Sequence, residues 1–260
     1  MSETYSEPTS PYATNSLNRF SDRAADYVKY RPSYPAAAID KILAGMGSIS
    51  QLVAADIGAG TGISSRLLAE RGIRVLAIEP NEAMRQAAQP HALVEFQAAT
   101  AENTNLSNAC VDIVACFQSF HWFNPQPTLL EFHRILKPSG RLAVVWNERD
   151  RYNEFTAKYT QLVQIASENH PAEQRRIAVE PILTTPLFPN VQQYRFAYRQ
   201  NLDLSGLIGR TMSTSYIPRE GATHEQLMAD LQQLYESNCD RYGKVSLVYS
   251  TSVFLAQAQP

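Results

Sequence analysis

The chain has little cysteine and histidine. Among its 260 residues there are three cysteines, Cys110, Cys116 and Cys239, and five histidines. The cysteines cannot form a disulfide framework, and no C-x-x-C or H-x-x-x-H pair gives the spacing of a metal site. We therefore expect no bound metal ion. Sparse cysteine is typical of a reducing compartment, so we expect a cytoplasmic protein.

The chain also lacks an excess of charge and any long apolar run. Its formal net charge is −2, which gives no attraction to nucleic acid or to an acidic membrane. No apolar run approaches the ~20 residues that span a bilayer, and the first residues lack the pattern of a signal peptide. Segment 1–16 is polar and predicts a disordered tail. Residues 17–260 suit a single α/β domain with an elaboration.

Glycine is scarce as well, with 11 residues, yet three of them alternate at Gly58, Gly60 and Gly62. They follow a short apolar run in the segment V-A-A-D-I-G-A-G-T-G (53–62), and the next apolar run ends in Glu79. Glycine permits the positive φ of a tight turn and lets a ligand approach the backbone. A helix that starts after the turn favours an acidic ligand group, and a carboxylate at position 79 can accept hydrogen bonds from a ribose. The pattern predicts a site for a cofactor that contains a nucleoside.

Apolar periodicity places this turn in an alternating series of strands and helices. We predict strands at 52–57, 74–79, 94–98, 111–117 and 141–146, with a turn at 137–140 ahead of the fifth. Helices are predicted at 63–71, 81–88 and 125–136. This alternation predicts a doubly wound parallel sheet. Beyond residue 150 we predict helices at 155–169, 204–212 and 224–238, and strands at 191–202 and 244–255.

Two classes of cofactor site use such a turn. The dinucleotide fingerprint G-x-G-x-x-G needs a glycine where this chain has Ile63. The shorter G-x-G-x-G, preceded by Asp56, resembles motif I of the class I S-adenosylmethionine (SAM) methyltransferases. Segments 117–123 (F-Q-S-F-H-W-F) and 131–140 (E-F-H-R-I-L-K-P-S-G) resemble the type-11 methyltransferases. Segments 20–27, 30–35 and 210–218 resemble the trans-aconitate-methyltransferase-like branch of that family.

This resemblance implies a fold and a cofactor. The fold is a Rossmann-like, doubly wound, seven-stranded sheet that is mostly parallel, with the last strand antiparallel beside the fifth. A helical and irregular cap over the crevice is expected from about residue 150 to 220. The cofactor is SAM, and the product is S-adenosylhomocysteine. The residues expected to bind SAM are Tyr27, Arg31, Asp56, Gly58, Ala59, Gly60, Gly62, Glu79, Pro80, Met84, Thr100, Ala101, Glu102, Phe117 and Gln118.

Several of these residues have a plainer interpretation beside the functional one. Asp56 is expected to organise the SAM amino group, or else only stabilises the turn. Met84 can pack on the adenine or belong to the helix core. Glu102 can accept a hydrogen bond from the adenine amino group or be a solvated loop charge. Arg31 is expected to pair with the SAM carboxylate. The aromatic residues after the fourth strand can line the site or pack in the core.

The acceptor side of the site is less defined by sequence. A hydroxyl or amine acceptor usually needs a base, for which His121 is the candidate, whereas a carboxylate or thiolate does not. A lone histidine can equally be structural. Trp122 is expected to form a wall near the methyl group, Arg210 to bind an anionic acceptor and Tyr216 to supply a hydrogen bond. Arg210 and Tyr216 can equally be packing residues of the cap.

These observations lead to one expected function and two alternatives. No D-P-P-Y or N-P-P-Y tetrapeptide of the amino-directed methyltransferases follows the fourth strand. We expect in-line transfer of the SAM methyl group to a small-molecule acceptor, with a carboxylic acid as the hypothesis. Neither nucleic acid nor a membrane is an expected partner, and a monomer or homodimer is expected. The alternatives are a SAM-binding module without catalysis and an NAD-dependent oxidoreductase, which Ile63 disfavours.

Overall fold

A computed structural model describes residues 24–170 and 179–259. Its centre is a seven-stranded sheet in the order β3-β2-β1-β4-β5-β7-β6. The strands are β1 (Val53–Ile57), β2 (Arg74–Ile78), β3 (Val94–Gln97), β4 (Val111–Phe117), β5 (Leu136–Arg149), β6 (Gln192–Leu202) and β7 (Val245–Gln257). The predicted tail at residues 1–16 lies outside the described residues.

The first five strands are parallel, and β7 is antiparallel to both of its neighbours, β5 and β6. This confirms the predicted fold class, including the antiparallel last strand beside the fifth. The chain passes from β1 outward through β2 to β3 and returns to β4 beside β1. Ligands of open α/β sheets bind where the strand order reverses in this way, at the carboxyl ends of the strands.

Helices cover both faces of the sheet and its carboxyl edge. They are α1 (Ala24–Tyr30), α2 (Ala36–Leu43), α3 (Ile63–Ala69), α4 (Glu82–Gln86), α5 (Pro125–Ile135), α6 (Glu154–Ala166), α7 (Glu180–Thr184), α8 (Leu204–Met212) and α9 (Ala222–Glu236). Single turns of 3₁₀ helix lie at Ile49–Gln51 and Phe120–Trp122.

Two apolar layers sandwich the sheet, as the continuous hydrophobic runs of its strands require. On one face Phe132 of α5 packs with Val144 and Trp146 of β5. On the other face Ile39 of α2 packs with Leu68 of α3, together with the side chains that alternate with the first set along each strand.

A third apolar cluster joins α6, α8 and α9 to the ends of β6 and β7. Helix α6 follows β5, α8 follows β6, and α9 precedes β7. Because β7 is antiparallel to β5 and β6, all three helices lie at the end of the sheet where β5 and β6 have their carboxyl ends. The parallel strands β1 and β4 end on the same side. The expected cap range of 150–220 therefore includes a sheet strand, β6, as well as the helices that lie above the edge.

The boundary between α5 and β5 differs from the prediction. Strand β5 starts at Leu136, which pairs with Val111, and the pairing resumes with Arg141 opposite Ile113. The predicted turn at 137–140 is thus an irregularity inside the strand, where Ser139 adopts a φ of 62°. Proline and glycine in this segment signalled a break in the helix, but the strand pairing on either side of the break depends on β4.

Candidate active site

The three alternate glycines form the turn between β1 and α3. Their φ values are 68°, 57° and 74° for Gly58, Gly60 and Gly62, a region in which a side chain is strained. The N–H groups of Gly58 and Ala59 both donate to the carbonyl of Ile78 at the end of β2, at 2.8 and 3.1 Å. The turn is therefore fixed to the neighbouring strand.

The three glycines face different surroundings. A Cβ on Gly58 would lie 2.7 Å from Ser119 Cβ, and one on Gly62 would lie 2.9 Å from Phe96 Cζ, so both glycines allow close packing within the protein. A Cβ on Gly60 would meet only the ends of two longer side chains, Met84 Cε at 3.3 Å and Tyr27 Cε1 at 3.9 Å. The middle glycine therefore faces the ends of the Met84 and Tyr27 side chains rather than another stretch of backbone.

Asp56 lies beneath this turn with a relative exposure of 1%. One carboxylate oxygen, Oδ2, accepts hydrogen bonds from the hydroxyls of Ser64 and Ser65, both at 2.6 Å. The other oxygen, Oδ1, and the hydroxyl of Thr61 are buried without a hydrogen-bond partner among the described residues. Burial raises the pKa of Asp56 to about 6, against the two serine hydroxyls, which lower it. Asp56 stabilises the turn and still presents an unused acceptor that suits a cationic group.

Glu79 follows β2 and holds the turn from the other side, with a relative exposure of 8%. Its Oε2 accepts from the N–H of Gly60 at 2.8 Å and its Oε1 from the N–H of Asn81 at 2.9 Å. Burial raises the pKa of Glu79, while these two N–H donors lower it. A carboxylate oxygen accepts more than one hydrogen bond, so this fixed carboxylate retains acceptor capacity for a pair of hydroxyls.

Pro80 and Met84 lie in the segment that continues from Glu79. The Pro80 carbonyl accepts from Arg85 Nη1 at 2.8 Å. Asn81 caps α4 through the N–H of Met84 at 3.1 Å, as its position in the sequence predicts. This cap brings the buried Met84 side chain against the glycine turn.

The three residues predicted after β3 are Thr100, Ala101 and Glu102. Thr100 is exposed and Ala101 is buried. The Oε1 atom of Glu102 accepts from the N–H of Asn124 at 2.9 Å, which ties this loop to the start of α5. Sequence reasoning offered a ligand contact or a solvated charge for Glu102 and missed this contact with the end of a helix.

Phe117 and Gln118 end β4 and turn the chain over the crevice. Phe117 is buried against the edge of Tyr34, with ring centroids 4.8 Å apart. Gln118 adopts a φ of 54°, and its Nε2 donates to the carbonyl of Asn147 at 2.8 Å. The next residue, Ser119, donates to the carbonyl of Ile57 at 2.7 Å, so this loop is fixed directly onto the glycine turn.

The acceptor-side residues come from two parts of the chain. His121 and Trp122 lie in the 3₁₀ turn after β4, with ring centroids 4.9 Å apart. Arg210 lies on α8, and Tyr216 follows that helix with its ring stacked on His170 at 4.8 Å. The Arg31 guanidinium carbon lies 4.6 Å from the centroid of the Tyr27 ring.

Burial lowers the pKa of Arg31, and the nearby charge of Arg210 lowers it further, so the two guanidinium groups lie in one region. Arg210 Nε donates to the Tyr249 hydroxyl on β7 at 3.4 Å. Tyr249 also donates to Gln200 Oε1 on β6 at 3.2 Å, and Gln200 donates to the Tyr30 carbonyl at 2.9 Å. Sequence reasoning missed Tyr249 and Gln200, which stand in alternating strand patterns without a motif. Their position beside Arg210 follows from the antiparallel register of β6 and β7.

Neither a metal-ion site nor a membrane-spanning helix is found among the residues that the structure describes. Among residues 24–170 and 179–259, no group of three or more His, Cys, Asp or Glu side chains could hold a metal ion. Within the same residues, no helix has both the length and the apolar character to cross a membrane.

The sheet order, the glycine turn and the two acidic residues at its strand ends define a class I SAM-dependent methyltransferase. Residues 55–144 match the model of a family described as "Methyltransferase domain". An uncharacterised methyltransferase of Mycobacterium tuberculosis (strain H37Rv) is 32% identical over 200 residues, which cover 76% of this chain and 76% of the relative. The chain belongs to this methyltransferase family.

Solved structures with this fold include other methyltransferases. One is described as a type II methyltransferase from Anaeromyxobacter dehalogenans, with a TM-score of 0.65 and 22% identity over 89% of this chain and 99% of that one. Another, the phosphoethanolamine N-methyltransferase 2 of Haemonchus contortus in complex with S-adenosylhomocysteine, has a TM-score of 0.54 and 15% identity over 94% of this chain and 59% of that one. These likenesses concern the fold. The trans-aconitate branch stays a prediction.

Proposed function

We propose that this methyltransferase transfers the methyl group of SAM to a carboxylate oxygen of a small carboxylic acid, giving a methyl ester. The observation that supports a carboxylic acid is the buried guanidinium of Arg210. Its side chain lies under the cap beside the crevice, and the residue has a relative exposure of 7%.

Arg210 is bound to neutral hydroxyl groups. Its Nη1 donates to Thr214 Oγ1 at 3.2 Å and its Nε to the Tyr249 hydroxyl at 3.4 Å. In the described part of the chain, no carboxylate forms an ion pair with it. A guanidinium keeps its proton throughout the pH range in which proteins are folded, so the group stays charged. A buried charge without a partner costs several kcal/mol, which an anionic ligand would offset.

Arg31 places a second guanidinium in the same region. Its Nη2 donates to the Ser213 carbonyl at 3.1 Å, and its Nε is buried without a partner among the described residues. Burial and the charge of Arg210 lower the pKa of Arg31. Arg210 is buried and Arg31 is half-buried. Neither has an acidic partner among the residues that the structure describes, so the two cations suit two carboxylates. We assign the SAM carboxylate to Arg31 and the acceptor carboxylate to Arg210, because Arg31 lies beside Tyr27 and the Gly60 face.

The residues of the crevice fit SAM at each of its polar parts. The buried Asp56 Oδ1 suits the amino group, Glu79 suits the ribose hydroxyls, and Gly60 has only the ends of the Met84 and Tyr27 side chains in front of it, which a ligand can displace. When bound, SAM supplies an electrophilic methyl group on a sulfonium sulfur. A carboxylate nucleophile has no proton to lose, so this site needs no general base for it. The role of the protein is to bind, orient and exclude water.

The experiment is a methyl-transfer assay that measures S-adenosylhomocysteine formation. The acceptors are small aliphatic and aromatic carboxylic acids, each paired with its primary amide, along with phenols and amines. We expect turnover with acids and none with the matched amides. Transfer only to phenols or amines would refute the carboxylic acid, and SAM binding without any transfer would favour a binding module.

Arg210 provides the matched variant. In Arg210→Gln we expect the KM for the acid to rise by about tenfold or more, because a charge-assisted hydrogen bond is lost, while the Kd for SAM changes little. Arg74→Gln, which removes an exposed arginine paired with Glu95, should leave both values unchanged. A loss of SAM affinity in Arg210→Gln that equals the loss of acceptor affinity would contradict the assignment of the two arginines.

A further inference from the structure

Strand β6 forms one edge of the sheet and pairs with β7 alone among the described strands. Directly opposite residues of an antiparallel pair alternate between hydrogen-bonded and non-hydrogen-bonded pairs. The carbonyl of Val248 in β7 accepts from the N–H of Asp150, which follows β5, at 2.9 Å, so the backbone groups of Val248 face β5. Arg199 lies opposite Val248 and therefore directs its own backbone groups away from the sheet.

Every second residue of β6 shares this orientation. These positions, which we call the outer edge, are Gln193, Arg195, Ala197, Arg199 and Asn201. Their side chains are exposed, and within residues 24–170 and 179–259 none of their backbone groups forms a hydrogen bond with another segment. Proteins commonly block such an edge with a proline or a bulge, whereas β6 contains no proline and pairs with β7 without a shift of register. The outer edge is therefore a template for a further strand.

The side chains at the other positions of β6 are symmetric about Phe196. Gln192, Tyr194, Phe196, Tyr198 and Gln200 are the same residue types in the same order from either end. If a second β6 runs antiparallel with Phe196 opposite Phe196, Tyr194 of each copy lies opposite Tyr198 of the other. These would be non-hydrogen-bonded pairs, in which the Cα atoms are about 4.5 Å apart and the side chains are closest. The three aromatic side chains are half-buried, and aromatic pairs across neighbouring strands stabilise a sheet.

The arginines of the outer edge favour the same register. With Phe196 at the centre, Arg195 lies opposite Ala197 and Arg199 lies opposite Gln193, and each of these pairs can exchange two hydrogen bonds. A centre at residue 195 or 199 would place an arginine opposite itself, and a centre at residue 197 would place Arg195 opposite Arg199. Like charges directly opposite each other destabilise a strand pair. The centre at Phe196 therefore combines matched aromatic side chains with separated charges.

We propose that two copies of this chain pair through their outer edges, antiparallel about Phe196, so that the two seven-stranded sheets form one continuous sheet. An unrelated extended chain offers the same backbone groups but not the side chains that match about Phe196, so the partner is a second copy. Three strands separate β1, which leads into the glycine turn, from β6. The pairing therefore leaves the glycine turn of each copy open and does not depend on the identity of the methyl acceptor.

Sedimentation velocity over a series of protein concentrations tests the dimer. We expect the wild type to change from one copy to two as the concentration rises. Ala197→Pro removes an outward N–H at the middle of the edge and leaves the bonds to β7 in place, so the Kd of the dimer should rise roughly tenfold or more. Asn201→Pro is the control, because residue 201 would face a position outside the partner's β6, and its Kd should stay within about threefold of the wild type. A wild type that stays monomeric, or an unweakened dimer in Ala197→Pro, would overturn the proposal.

Disulfide cross-linking tests the register and changes only exposed residues of β6. Arg195→Cys and Ala197→Cys are each made with Cys110→Ser and Cys239→Ser, which leaves only the buried Cys116 of the native cysteines. The Cα atoms of an opposite, hydrogen-bonded pair are about 5.5 Å apart, within reach of a disulfide, whereas diagonal neighbours are about 7–8 Å apart. The two variants should form a covalent dimer when they are mixed and oxidised, and neither should do so alone. A covalent dimer of either variant alone, or none in the mixture, would overturn the pairing about Phe196.

Discussion

At the scale of single residues, Asp56 is the group whose charge state matters most for the cofactor. It is almost fully buried, the hydroxyls of Ser64 and Ser65 donate to one of its oxygens, and the other oxygen has no hydrogen-bond partner among residues 24–170 and 179–259. Burial raises its pKa to about 6 from its ordinary value of 3.8. The folded protein therefore binds a proton between these two values that the unfolded chain does not bind. The stabilisation from that proton is present below about 3.8 and is lost as the pH rises through about 6.

SAM binding should have the opposite dependence on pH. Its amino group and sulfonium are cationic, so the ionised form of Asp56 is the form that binds. We predict that the Kd for SAM, measured by calorimetry, is constant above about pH 7 and rises up to tenfold for each pH unit below the pKa of Asp56. The cause is competition between the ligand and a proton for one carboxylate.

Asp56→Asn is the control, since its amide can still accept from the serine hydroxyls but has no charge to titrate. It should bind SAM weakly, and it should not show the acid-side loss. Glu79 is the other buried acid of the turn, and burial raises its pKa too, so any slope left in Asp56→Asn belongs to Glu79. An unchanged slope in this variant would show that Asp56 does not bind the ligand.

At the scale of elements, helices α1 and α8 connect the two halves of the site. Helix α1 contains Tyr27 and leads into Arg31, while α8 contains Arg210. They meet at Gly209, where an added Cβ would lie 2.3 Å from Tyr30 Cε2. The absence of a side chain at position 209 therefore allows α1 to pack against α8.

We predict that Gly209→Ala weakens SAM binding although residue 209 is remote from the glycine turn. Alanine in a helix is favoured over glycine by about 1 kcal/mol, so a loss must come from the clash with Tyr30. The displaced α1 should move Tyr27 and Arg31, and calorimetry should show a Kd several-fold higher. In the double variant with Tyr30→Ala, the added effect of Gly209→Ala should largely disappear. Additive effects of the two changes would mean that this contact does not position α1.

The elements differ in how well sequence could predict them. The run 111–117 gave the bounds of β4 correctly, because a strand buried on both faces is a continuous apolar run with sharp ends. The start of β5 was wrong by five residues, at 141 instead of 136, because an irregular strand is defined by its partner. Glu79 and Asp56 were found through a motif. Gln200, Tyr249 and Tyr30 were missed, since their contacts depend on strand register and helix packing that no local pattern encodes.

At the scale of the whole molecule, the crevice lies where three packed layers meet. Helix α3 belongs to one apolar layer of the sheet, the 3₁₀ segment with Phe120 to the other, and α8 to the cap cluster. Helix α1 packs against α8 at Gly209. A ligand that contacts the glycine turn, the loop after β4 and α1 would therefore link all three layers. Its binding energy should then stabilise the folded state as a whole rather than one loop.

We therefore predict a thermal shift that also distinguishes between cofactor classes. At about 100 times its Kd, a ligand that binds only the folded state adds about 2.7 kcal/mol, or about 5–10 °C for a chain of this size. SAM and S-adenosylhomocysteine should each raise the Tm by this amount, and NAD should not.

Gly60→Val should abolish the shift by filling the space beside Met84 and Tyr27. Gly45→Val is its control, because Gly45 also has a positive φ, 79°, but has no atom within 4 Å of an added Cβ. Both variants place a valine at a positive φ, so a lost shift in Gly60→Val alone locates the ligand at the turn. A shift with NAD in place of SAM would refute the site, and a retained shift in Gly60→Val would place the ligand elsewhere.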